Sequence, residues 1–226
     1  MIAVILLTYN RLRYAQTTLA RVAENLQASE PIWLHIADDG SSQQYRDTLL
    51  HQAHDLYGDN VSITDSERSG YGASYNLATQ VVHTLADLVL PLEDDWELTR
   101  PFNLDLAAAA LRDGTFGCVR LGYIGCTQEL RGSFVSAHGL WWLGLDPDSP
   151  EPHVFAGHPR LEHREWQRTV GPWPEGLAAG ETEFVVAHRP QARTGVAWPV
   201  DLVRASGDAF VHIGTIQAGT KEEHNG

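Results

Sequence analysis

Ile2-Ala3-Val4-Ile5-Leu6-Leu7 is an unbroken aliphatic run that stops abruptly at Thr8-Tyr9-Asn10-Arg11. Its length, its branched side chains and its lack of polar alternation suit a strand buried on both faces, the environment of a parallel sheet. Behind it, Leu12, Ala15, Leu19, Val22, Ala23 and Leu26 recur at helical spacing and predict a helix over 14–26. The pattern returns twice. A strand over 32–37 ends in Asp38-Asp39-Gly40-Ser41 and leads to a helix over 44–56. A short strand over 61–64 and the segment Ser69-Gly70-Tyr71-Gly72 lead to a helix over 73–84, and a fourth strand over 88–92 runs into Glu93-Asp94-Asp95. Successive strand–helix units of this kind predict a parallel α/β sheet with right-handed crossovers.

Beyond residue 100 the regularity weakens. A helix is predicted over 103–111, strands over 117–123 and 134–143, and helices near 161–168 and over 180–188. A short edge strand over 196–199, a strand over 210–213 and a polar tail over 221–226 complete the chain. Neither a repeat nor a linker divides it. The expectation is one α/β domain over 1–226, with a mainly parallel central sheet and helices on both faces.

The 226 residues carry 16 Lys plus Arg against 29 Asp plus Glu, a formal charge of −13. That balance argues against a broad basic face for nucleic acid, and against a nucleic-acid acceptor, because affinity for phosphate backbones comes from Lys and Arg. An apolar fraction of 43% with 20% charged residues is that of a globular chain rather than a disordered one. Cys118 and Cys126 are too few for a disulfide framework or a structural zinc site and read as buried thiols of a reducing compartment. The N-terminal apolar run is too short for a signal-peptide core or a membrane span, which points to the cytoplasm.

In an open α/β sheet, ligands bind outside the carboxyl ends of the strands. Here those ends are Thr8-Tyr9-Asn10, Asp38-Asp39-Gly40-Ser41 and Glu93-Asp94-Asp95, so carboxylates converge on one edge. Three adjacent acids after five apolar residues face desolvation and mutual repulsion unless water or a cation offsets them, and a hard divalent ion is the natural partner. Mg²⁺ and Mn²⁺ take oxygen ligands, commonly a carboxylate or two plus substrate phosphates, so a diphosphate ligand is expected. No Gly-x-x-x-x-Gly-Lys-Ser/Thr loop and no Gly-x-Gly-x-x-Gly follows the first strand, so P-loop and dinucleotide readings fail.

Taken in order, Thr8-Tyr9-Asn10-Arg11, Asp38-Asp39-Gly40-Ser41, Gly72-Ala73-Ser74-Tyr75-Asn76 and Glu93-Asp94-Asp95 resemble the GT-A glycosyltransferases, especially family 2. Val170-Gly171-Pro172-Trp173-Pro174-Glu175, followed by Gly180-Glu181-Thr182-Glu183-Phe184, is similar to the acceptor-side segment of that family. The resemblance implies a Rossmann-like GT-A domain that transfers a sugar from a nucleoside diphosphate sugar to a hydroxyl acceptor, using Mn²⁺ or Mg²⁺, with inversion favoured over retention. Residues 1–97 would form the nucleotide-sugar half and 98–226 the acceptor half. Thr8 and Tyr9 would contact the base and Asp39 would hydrogen-bond it, with Asp38 as the substitute. Asn10, Arg11, Arg68, Gly70 and Asn76 would complete the donor pocket. Asp94 would face the ribose or sugar, while Glu93 and Asp95 would hold the metal, with His212 as a further ligand.

The resemblance also implies a general base at the start of the acceptor-side helix. The position matching the usual Asp is Thr182, which cannot serve, leaving Glu181 first, Glu183 second, and a retaining reaction without such a base third. Trp173 is a candidate face for a sugar ring. His153, His158 and His163 with Arg160, Arg164 and Arg168 read as a solvated, locally basic stretch. Two alternatives remain: nucleotidyl transfer, which uses a similar sheet, carboxylates and metal, and a non-catalytic sugar-nucleotide or carbohydrate-binding protein, which the missing acid at Thr182 would fit.

Overall fold

The aliphatic run forms strand β1 (Ile2–Thr8), and every one of its residues is buried. The structure is a computed structural model describing residues 1–121, 131–149, 154–200 and 209–214. Helix α1 (Leu12–Asn25) follows, then the short β2 (Leu26–Gln27), β3 (Ile32–Asp38), α2 (Gln43–Tyr57), β4 (Val61–Asp65), α3 (Tyr71–Val82) and β5 (Leu88–Glu93). The chain continues through β6 (Trp96–Leu98), β7 (Phe102–Asn103), α4 (Asp105–Arg112), β8 (Cys118–Arg120), β9 (Gly132–Ala137) and β10 (Leu140–Leu145). It ends with β11 (Arg160–His163), α5 (Arg164–Val170), α6 (Ala179–Ala187), α7 (Pro190–Arg193), β12 (Val196–Trp198) and β13 (Phe210–His212).

Nine strands form one sheet in the order β4-β3-β1-β5-β11-β8-β12-β10-β9, so both halves of the chain share it. The run β4-β3-β1-β5 is parallel throughout. Alternation along β1 serves both faces: Ile2, Val4 and Leu6 pack with Leu19 of α1 and Leu49 of α2. Ala3, Ile5 and Leu7 pack with Ala78 and Val82 of α3 and Val186 of α6. The expected α/β fold with helices on both faces is present.

The second half mixes directions. β11 lies antiparallel to both β5 and β8, and β10 antiparallel to β12 and β9. Three local expectations change with it. The single strand over 134–143 is a hairpin, because His138 and Gly139 both take positive φ (53° and 76°) and reverse the chain in two residues. The stretch 161–168 begins as β11, and its helix starts only at Arg164. The strand near 196 is not at an edge but between β8 and β10. Cys118 is buried and free. Cys126, His153, residues 122–123 of the expected strand and the tail 221–226 lie outside the described residues. Among the described residues no helix is long and apolar enough to cross a membrane.

His35, at the middle of β3, is fully buried, with Nδ1 2.8 Å from Ser62 Oγ and Nε2 3.2 Å from Thr64 Oγ1. Burial disfavours the imidazolium and pushes its pKa down to about 4. As pH falls through the unfolded value near 6.5, the unfolded chain takes up a proton that the folded chain refuses until about 4. Stability is therefore lost across that window as pH falls. Urea denaturation should show wild type losing about 2 kcal/mol more than His35→Asn between about pH 7 and pH 5.

Candidate active site

Register aligns the polar strand ends. Thr8 pairs with Asp38 across β1 and β3, and Leu7 with Glu93 across β1 and β5. The alignment continues one residue beyond the strands, since Asp39 N–H donates to Thr8 O (3.0 Å) and Asp94 N–H to Leu7 O (3.1 Å). Above this row opens a cavity of about 610 Å³, whose walls include Thr8, Tyr9, Arg11, Asp39, Arg68, Gly70, Glu93, Asp95 and His212.

Arg11, at the start of α1, bridges two consecutive acids across the sheet. Its Nη2 donates to Asp94 Oδ1 and its Nη1 to Asp95 Oδ2 (2.7 Å). Asp94 is fully buried, and its other oxygen accepts from Thr8 Oγ1 at 2.8 Å. Thr8 also meets the Tyr45 hydroxyl, and Thr18 Oγ1 donates to Asp94 O at 2.6 Å, pinning α1 to the acidic turn. Burial pushes the Asp94 carboxyl up to about 7 despite Arg11. Glu93 is pushed up to about 8 by burial and then by the charges of Asp95, Glu183 and Asp94.

His212 arrives by strand pairing. β13 runs antiparallel to β6 with His212 opposite Trp96, and Ile213 N–H donates to Asp95 O at 2.8 Å. The His212 Nε2 therefore stands 3.3 Å from Asp95 Oδ2, with its ring edge-on to Trp96 at 5.2 Å. Among the described residues no group of three His, Cys, Asp or Glu side chains is placed to hold a metal ion by itself. They offer an open donor set instead. Asp95 Oδ1 is buried without a hydrogen-bond partner, His212 is adjacent, and Glu93 lines the same cavity. Two or three oxygen and nitrogen donors beside space for phosphate oxygens fit Mn²⁺ or Mg²⁺.

The Arg68 guanidinium carbon lies 3.8 Å from the centre of the Tyr9 ring, a cation–π pair that lines the same cavity. Asp39 accepts from the backbone N–H of Ser69 (2.7 Å) and Gly70 (3.0 Å), so it fixes the segment that leads into α3. Gly70 has φ of 89°, a conformation that favours glycine.

Several expected contacts point elsewhere. Asp38 is buried and caps its own turn through Ser41 N–H (2.9 Å), with Arg46 behind it. Asn10 gives its N–H to Ser41 Oγ (2.9 Å) and does not line the cavity. Asp94, with its oxygens held by Thr8 and Arg11, does not line it either. Asn76 faces away, clasping Trp173 through Trp173 O (2.9 Å) and Trp173 N–H (2.8 Å). Trp173 is only 3% exposed, packed on Tyr75 at 4.5 Å, and offers no face to a sugar. The basic stretch is not wholly solvated, because Arg160 is fully buried.

Neither Glu181 nor Glu183 is among the cavity walls: Glu181 is exposed and caps its helix by accepting from Ala178 N–H (3.2 Å), whereas the charge of Glu183 helps to raise Glu93 and Tyr71. The residues missed from the sequence are Tyr71, Ser74, Gly214 and the 177–180 turn, all of which line the cavity. Tyr71 stood in the quoted Gly70-Tyr71-Gly72 segment. Its hydroxyl is buried with no hydrogen-bond partner. Of the 177–180 segment, which leads into α6, only Gly180 stood in a quoted motif.

The sequence profile of glycosyl transferase family 2 matches residues 3–166. No curated protein matches the chain. Among solved structures, Staphylococcus aureus TarS 1–349 in complex with UDP-GlcNAc superposes with a TM-score of 0.65 at 16% identity, covering 87% of this chain and 55% of that one. PcManGT, a mannosyltransferase from Pyrobaculum calidifontis in complex with GDP-Man and Mn²⁺, gives 0.53 at 18% identity, covering 92% and 58%. GalNAc-T7 with UDP, GalNAc and Mn²⁺ gives 0.62 at 15%, covering 96% and 44%. At these identities the likeness is one of fold, and the chain spans about half the length of these proteins.

Removing the cation of a buried pair strands its partners. Arg11→Met, which leaves Asp94 and Asp95 facing one another, should cost about 3 kcal/mol in urea denaturation at neutral pH. A loss no larger than that of Arg21→Met, at an exposed pair, would show that the bridge contributes nothing.

Proposed function

The chain belongs to glycosyl transferase family 2, and we propose that it moves a sugar from a nucleoside diphosphate sugar to a hydroxyl acceptor, with the aid of a divalent cation and with inversion. The observation that carries this reading is the buried, partnerless Asp95 Oδ1 beside His212, set into a cavity walled by the ends of β1, β3 and β5. The UDP-GlcNAc bound by TarS supports the same donor class, and the GDP-Man and Mn²⁺ bound by PcManGT support both donor class and cofactor. In this reading residues 1–97 supply the donor half, and the remainder, except His212 and the 177–180 turn, the acceptor half. Nucleotidyl transfer has no support in the family match.

The residues divide the work. Tyr9 and Arg68 present a flat cationic wall on which a nucleobase stacks. Asp39 holds the Ser69–Gly70 backbone against that space and shapes the pocket through it. Asp95 and His212, with Glu93, would hold the cation. Bound there, it would stabilise the negative charge that develops on the leaving diphosphate. Arg11 keeps the two acids in place while one Asp95 oxygen stays open.

The acceptor oxygen forms a bond to the anomeric carbon as the bond from that carbon to the diphosphate breaks, its electron pair leaving with the nucleoside diphosphate. The hydroxyl proton passes to a carboxylate, for which Glu183 is the better candidate. Glu181 is turned outward as a helix cap, and Thr182 is fully buried with no acidic group.

Nucleoside diphosphate release from a panel of UDP- and GDP-sugars should require Mn²⁺ or Mg²⁺ and fall about a hundredfold in Asp95→Ala. Glu183→Gln should lose about a hundredfold or more, and Glu181→Gln only a few fold. Undiminished release by Asp95→Ala would refute the cation site. Donor binding by calorimetry with no release by wild type would favour the non-catalytic alternative.

A further inference from the structure

A glycine can be required by its own φ or by what lies against it. Gly157 has no positive φ, but a Cβ built on it would lie 1.8 Å from Glu183 Oε1, 2.5 Å from Cδ and 2.9 Å from Cγ. The Glu183 carboxylate thus occupies the space that any other residue at 157 would fill. The backbone of Gly157 is itself held. Arg160 Nη1 donates to Gly157 O at 2.7 Å and to His158 O at 3.3 Å, clamping the turn from beneath.

That arginine is rigidly placed. It is fully buried, paired through Nε with Glu162, and enclosed by the rings of Phe155 (4.9 Å) and Trp173 (5.3 Å). Glu162 in turn accepts from the Tyr75 hydroxyl at 2.8 Å and from Gln167. Three of these contacts, Nε to Glu162 and Nη1 to Gly157 O and His158 O, tie the buried guanidinium to the turn and so fix the turn above it. The turn also carries His158, whose ring contacts Trp96 at 5.5 Å on the strand that receives His212.

We propose that Gly157, with Arg160 as its anchor, is a positioning residue that seats the Glu183 carboxylate against the 157–160 turn, so that it can serve in place of an acid at position 182. The inference rests on the reading of Glu183 as the base. Gly157 acts by being small, Arg160 by fixing where that small residue lies. In a long, flexible glutamate side chain such seating removes rotamer freedom before the acceptor arrives.

Arg160 variants leave Glu162 buried and unpaired and fail by unfolding, so the glycine is the cleaner probe. In Gly157→Ala the clash is with the far end of one flexible side chain, so the fold survives while the carboxylate is expelled. Two cycles with Glu183 test it. In urea denaturation, Gly157→Ala should lower the midpoint in the wild-type background and much less in Glu183→Ala, where the new methyl enters vacated space; equal shifts in both would overturn the seating. In Mn²⁺-dependent release from UDP- and GDP-sugars, Gly157→Ala should lower kcat about a hundredfold with donor KM unchanged, and add no loss to Glu183→Gln. Full kcat in Gly157→Ala while Glu183→Gln is inactive overturns the positioning and leaves the base standing. Full kcat in Glu183→Gln overturns the base instead.

Discussion

One guanidinium holds the acidic edge together. Asp94 and Asp95 follow directly from β5, and Arg11 follows β1, so the β1–β5 register that pairs Leu7 with Glu93 also brings cation and anions together. Without that charge, two buried carboxylates and the half-buried Glu93 would repel one another in a medium that screens poorly. With it, Asp94 becomes a structural acid, satisfied by Arg11 and Thr8. Asp95 keeps one oxygen free. The same three residues in sequence thus have three different environments, and adjacency says nothing of which faces the ligand.

The strand ends were legible for a general reason: in a parallel sheet the carboxyl ends gather along one edge, and register places Thr8, Asp38 and Glu93 side by side. What could not be read was direction. Asp38 and Asp39 differ by one residue, yet the first turns back to cap Ser41 and the second turns outward to the Ser69–Gly70 backbone. Asn76 and Trp173 are joined by two hydrogen bonds across 97 residues, so each looks free in sequence and neither is free in the fold. Residue type tells what a side chain can do; only long-range packing tells where it does it.

The second half was harder because its strands are short and its order non-sequential. β8, β11 and β12 contribute three or four residues each, too few for a hydrophobic period to show. Their pairing depends on contacts between 118–120, 160–163 and 196–198 that no local pattern encodes. Arg160 illustrates the cost. In a stretch rich in Arg and His it reads as solvated, yet β11 lies between β5 and β8 and carries the side chain into the interior, where Glu162 and three aromatic rings receive it.

Position 182 shows what the packing of α3 on α6 leaves room for. Thr182 is fully buried, with its methyl 3.3 Å from where a Cβ on Gly72 would stand, while that same Cβ would strike Pro174 O at 1.9 Å. α3 and α6 therefore meet through small residues, and a carboxylate at 182 would be pressed into a contact that has room for a methyl group. One step along a helix turns the side chain by about 100°. Glu183 leaves that contact for the side of the 157–160 turn, and its extra methylene lengthens its reach. Under the proposal that Glu183 is the base, close helix packing at Gly72 and an acid at 183 rather than 182 are two consequences of the same geometry, with the buried Arg160 fixing the surface on which Glu183 rests.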